Sequence, residues 1–134
     1  QMHNLSSSSD VHGGDYVAVF IETQDHSYYQ IQVNPDGQVS EGDPAARWKS
    51  LAEIKTEKGK NFWLVKMRIP VVGQDEANSD PLHRVAGTMP TPEAPWYFNI
   101  GRVRVAGQER EVQAFSPTGG PWGQPAKFGR LEIK

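Results

Sequence analysis

The 134-residue chain contains no cysteine. Disulfides, thiolate metal sites and cysteine nucleophiles are thereby excluded. Excess basic charge is also missing: 14 Lys and Arg stand against 16 Asp and Glu, for a net charge of -2. No basic stripe is available to neutralise phosphates, which argues against nucleic acid as a partner. No apolar run approaches the length of a membrane span. No segment sustains a helical period. Four scattered histidines form no H-E-x-x-H or H-x-x-x-H pattern, and Ser116 has no evident His and acid partners. Two carboxyls flanking a glycosidic bond cannot be assigned by spacing. The chain therefore reads as non-enzymatic.

What is present is turn chemistry and short alternating segments. Thirteen glycines and ten prolines punctuate a chain long enough for one domain. Residues 1–14, polar and Ser/Gly-rich, read as a linker or frayed arm, and 15–134 as the domain. DYVAVFIET (15–23) is apolar on both faces up to Glu22, as a central strand should be. SYYQIQVN (27–34) alternates, with Tyr29, Ile31 and Val33 opposite Tyr28, Gln30 and Gln32. NPDGQ is a turn. WKSLAEIKT and NFWLVKMRIP around EKGK form a hairpin. Residues 71–95 are one long polar loop. PWYFNIGRVRV (95–105) is a strand with an expected bulge at Gly101. AGQERE turns back into VQAFSP, and KFGRLEIK closes the chain. Six or seven short strands of this kind predict an all-β antiparallel sandwich.

Four of these stretches, in order, resemble family 9 carbohydrate-binding modules. DYVAVFIET with YYQIQVNPDG is similar to that family's D-x-V-E-V-F-I … Y-x-x-x-V-N-P-x-G opening. The hairpin end MRIP resembles its x-x-E-x-x-I-P strand. WYFNIGRVR resembles its W-x-x-N-x-x-R strand, and FSPTGGPWGQPAKFGRLEI its closing W-S-P … P-x-x-F-G-x-L. The likeness spans about residues 15–133. It implies an immunoglobulin-like β-sandwich that binds a polysaccharide or oligosaccharide, as an accessory to a secreted or periplasmic bacterial protein. The sequence departs from the pattern at Ala18, where the family has a carboxylate, and at Phe115, where it has Trp. The family's first strands have no counterpart beyond QMHNLSSSSDVHGG. A fragment, or a sheet completed by a partner chain or domain, is therefore expected, and the alternative function is a structural or interaction sandwich without sugar binding.

Sugars are held by aromatic planes and planar polar groups. Trp122, between glycines and prolines, is either a stacking platform or a ring that pins its loop. The room made by the glycines leads us to expect display. Trp48 or Tyr28 would be its stacking partner, while Trp96 reads as core or rim and Trp63, mid-strand on an apolar face, as core. Tyr28, Gln30 and Gln32 form either a binding strip or an ordinary solvated face. Asn99 and Arg102 match the N-x-x-R motif and read as structural more than ligand-binding, with Glu111 as the partner of Arg102. The acidic loops read as solvated; because the family carries structural calcium, an ion held by Asn34, Asp36 and Asp43 is the alternative. The DOMON relatives of the family bind haem, for which Met2, Met89, His3 and His83 are the available ligands, in surroundings too polar for a good pocket.

Overall fold

The computed structural model describes residues 14–23, 26–42, 49–70, 90–122 and 124–131. The described residues form eight strands: β1 (Tyr16–Thr23), β2 (His26–Val33), β3 (Val39–Gly42), β4 (Glu53–Lys58), β5 (Trp63–Arg68), β6 (Trp96–Ala106), β7 (Glu109–Ala114) and β8 (Gly129–Leu131). Every pairing is antiparallel. A six-stranded sheet runs β3-β2-β1-β6-β7, with β8 paired to the first part of β6, and β4-β5 form a separate hairpin. The all-β class read from the sequence is what the chain adopts. No helix among the described residues is long and apolar enough to cross a membrane.

β1 lies in the middle of the large sheet, as its two apolar faces require. Tyr16, Ala18, Phe20 and Val103 bury one face together with Phe128. Tyr29, Ile31, Val33 and Trp96 bury the other, where Ile54, Val65, Met67 and Ile69 of the hairpin segment pack against them. The hairpin is thus a second layer on one face, and the closing segment covers the opposite face. Trp63, Val65 and Met67 turn toward the sheet while Leu64, Lys66 and Arg68 are exposed, the period-2 alternation expected of a strand with one wet side.

The β2–β3 connection is the predicted turn. Gly37 N–H donates to the Asn34 carbonyl at 3.0 Å, and Gly37 takes φ +79°, the left-handed region open to glycine. β3 was not anticipated. Its VSEG lacks apolar alternation, and pairing with β2 through Val33↔Val39 and Gln32↔Ser40 makes it a strand.

The bulge expected at Gly101 is absent. The β1–β6 register runs unbroken from Tyr16↔Val103 to Glu22↔Tyr97. Trp96 lies on the hairpin side, and so, by the same alternation, do Phe98, Ile100, Arg102 and Arg104. Tyr97, Asn99, Gly101, Val103 and Val105 share the other face. The apolar pattern shifts along the strand because the hairpin leaves the end of β6 uncovered, so arginines occupy positions that would otherwise be core.

Candidate functional site

Trp122 is seated on the large sheet. A Cβ at Gly101 would lie 2.5 Å from Cδ2 and Cε3 of its indole, so the ring rests directly on the glycine backbone. Tyr16 and Phe20 meet it edge-on at centroid distances of 6.0 and 6.5 Å. The display expected from its own loop glycines is therefore corrected. The glycine that makes room is Gly101, across the sheet, and the space it opens is inward. Tyr28 belongs to the same aromatic cluster, edge-on to Phe20 at 5.9 Å and to Phe128 at 6.3 Å. Gln30 stands beside it on β2, half-buried. Gln32 Oε1 is buried without a hydrogen-bond partner.

Asn99 is fully buried and ties the closing segment to the sheet. Its Nδ2 donates to the Ser116 carbonyl at 3.0 Å, and its Oδ1 accepts from Ser116 N at 2.9 Å and Ile100 N at 3.0 Å. Lys127 Nζ donates to the Thr118 carbonyl at 2.6 Å. Pinned this way, the segment holds Trp122 and Phe128 on the sheet. The structural reading of Asn99 agrees with this geometry.

Arg102 is not beside Asn99. Its side chain is 48 % exposed, 4.0 Å from Glu111 Oε2, and Arg104 reaches the same oxygen at 3.8 Å. The expected Arg102–Glu111 pairing is present as a loose surface contact. The sequence candidates are thus split by the sheet: Trp122, Tyr28, Gln30 and Asn99 on one face, Arg102 and Glu111 on the other.

Asn34 is committed to its turn. Its Oδ1 accepts from Asp36 N at 3.1 Å and Gln38 N at 2.9 Å. Asp36 pairs with Lys58 at the hairpin tip. Asn34 and Asp36 are therefore engaged within the protein. Among the described residues no group of three or more His, Asp or Glu side chains is placed to hold a metal ion. Asp43, Trp48, Met2, His3, His83 and Met89 lie outside the described residues, as does most of the 71–95 loop.

On the Arg102 side the hairpin leaves the later part of β6 uncovered, and an open groove of about 580 Å³ lies there. Val17 and the two arginines form its sheet side, and Lys58, Lys60, Asn61, Phe62 and Trp63 its hairpin side. The loop Gly59–Phe62 closes with Gly59 N–H donating to the Phe62 carbonyl at 2.7 Å. The Phe62 ring folds over Gly59 so closely that a Cβ there would collide with it, and the ring remains 66 % exposed. Trp63 is half-buried. Asp15, at one end, has Oδ1 occupied by Val105 N at 2.6 Å. The groove combines aromatic surface with long N–H donors at an open rim. Sequence reasoning named Arg102 but missed Trp63, Phe62, Lys58 and Lys60. Trp63 was read as core because it falls in the apolar alternation of β5, and only the hairpin's position reveals that it lines a groove.

No protein-family model matches the chain, and neither a curated protein nor a solved structure matches it.

Proposed function

We propose that this chain is a non-catalytic carbohydrate-binding domain and that its saccharide site is the groove between the β4–β5 hairpin and β6. The observation that carries the reading is the pairing of two aromatic rings, Phe62 and Trp63, with amide and guanidinium donors along one open groove. Aromatic faces match the C–H faces of a pyranose, and forked donors match its hydroxyls. The four-motif resemblance to family 9 carbohydrate-binding modules supports the same class, together with an immunoglobulin-like sandwich, a secreted setting and a role beside a polysaccharide-active protein. The site assignment differs from the first expectation, since Trp122 is occupied in holding the closing segment. Docking at an open groove suits affinities on the order of micromolar to millimolar, about 4 to 8 kcal/mol.

A second reading is a sandwich whose sheet is extended by a partner chain. It rests on β7, the last strand of the sheet path, which carries exposed Val112. A free strand edge is suited to strand addition.

Tryptophan fluorescence titrated with an oligosaccharide panel tests the first reading, on the parent, Trp63→Ala and Trp122→Ala. Saturable binding lost in Trp63→Ala and retained in Trp122→Ala, followed for the variants by calorimetry, is the expected result. No binding by the folded parent, together with a dimer in sedimentation, favours the second.

A further inference from the structure

We infer that the groove selects an acidic oligosaccharide, one bearing carboxylate or sulfate groups. This rests on the saccharide-binding reading above and names its substrate class. The chain as a whole is negative, at -2, yet the groove reverses the sign. Lys58, Lys60, Arg102 and Arg104 line it against one carboxylate, Asp15, which already accepts the Val105 N–H.

The neighbouring carboxylates do not cancel this excess. Counting Glu111 and Asp36, which pair with groove cations, leaves four positive charges against three negative. Glu111 is shared by both arginines at 3.8 and 4.0 Å, and all three side chains are about half exposed. Such long, solvated contacts contribute little, so a ligand anion displaces them at low cost. Lys60 makes no ion pair with any described residue. Arg102 and Arg104, two apart on β6, project on the same face, and each carries a planar fork suited to a carboxylate or sulfate. Cations on the sheet side and at the hairpin tip, with Trp63 and Phe62 on the hairpin side, provide for both the charge and the ring face of an acidic sugar. A neutral sugar would meet the two forks through its hydroxyls alone and leave their charge unanswered.

Calorimetry on the full chain separates the outcomes. The probes are tetragalacturonate, its fully methyl-esterified counterpart, a sulfated galactan tetrasaccharide, neutral galactotetraose and a polyglutamate peptide. The expected result is binding of a carboxylated or sulfated tetrasaccharide at least about tenfold tighter than its neutral counterpart, weakening as salt is raised. The better of the two acidic probes identifies the anionic group. Arg104→Gln and Lys60→Gln, both at exposed positions, should each weaken acidic binding about five- to tenfold and weaken neutral binding by less. Equal or tighter binding of the neutral sugars overturns the selectivity while leaving the saccharide reading intact. Polyglutamate binding as tightly as the acidic sugars also overturns it, making the groove a general anion surface. No binding of any saccharide overturns both.

Discussion

Replacing Gly101 by alanine plants a Cβ 2.5 Å from Cδ2 and Cε3 of Trp122 and 2.7 Å from Cε2. Carbon atoms pack best at about 3.5–4.0 Å, so the indole must retreat by about 1 Å or more. It has little freedom to do so, since Tyr16 and Phe20 bracket it and the Asn99–Ser116 bonds anchor the segment that carries it. Overpacking of this kind costs about 1–3 kcal/mol. Trp122→Ala removes the half-buried ring and should cost about 2–4 kcal/mol, somewhat less than truncation of a fully buried aromatic. The informative experiment is the double-mutant cycle, read by urea unfolding. Once the ring is gone, the three closest contacts of the added methyl are gone with it, so Gly101→Ala should cost less than about 0.5 kcal/mol in the Trp122→Ala background. Folded-state fluorescence of the Gly101→Ala protein should shift to the red as the indole moves toward water. A Gly101→Ala cost that is the same with and without the ring would refute the seat proposed for Trp122. It would assign the penalty to the strand backbone instead.

Three further outcomes follow from the same geometry. Asn99→Asp places an acceptor against the Ser116 carbonyl where the amide now donates, and should destabilise by about 2–4 kcal/mol in urea unfolding at neutral pH. Asn34→Ala leaves the backbone N–H groups of Asp36 and Gln38 without their side-chain acceptor and should cost about 1 kcal/mol without altering saccharide binding. Glu22, beside Tyr97 and Phe128 at a small cleft, has its carboxyl raised above the usual carboxylate range by burial. The folded state therefore holds that proton to higher pH than the unfolded chain does, so this group's contribution to stability falls as pH rises from the usual carboxylate range through the raised value. Glu22→Gln should flatten that slope and raise stability at neutral pH, as checked by thermal melts across pH.

Local chemistry alone determined the position of most strands and turns. The alternation in SYYQIQVN and NFWLVKMRIP, the apolar run of DYVAVFIET and the NPDG turn each depend on neighbours within a few residues, and each appears where the pattern put it. The alternation also predicted which side chains share a face of one strand. It could not state which faces of different strands coincide, because that depends on register, and register is settled by partners far along the chain. The pairing Ala18↔Gly101 brings the gap at Gly101 beneath Trp122, 21 positions further on, and turns an expected platform into a pin. The pairing of Val17 with Arg102 sends that arginine to the opposite face from Trp122. There the short hairpin leaves the later part of β6 uncovered, and Trp63 lines one groove with the two arginines. Residue types and their local periods were legible in the sequence; the groove was not, because it is the space between a hairpin and a strand that meet only when the sheet has formed.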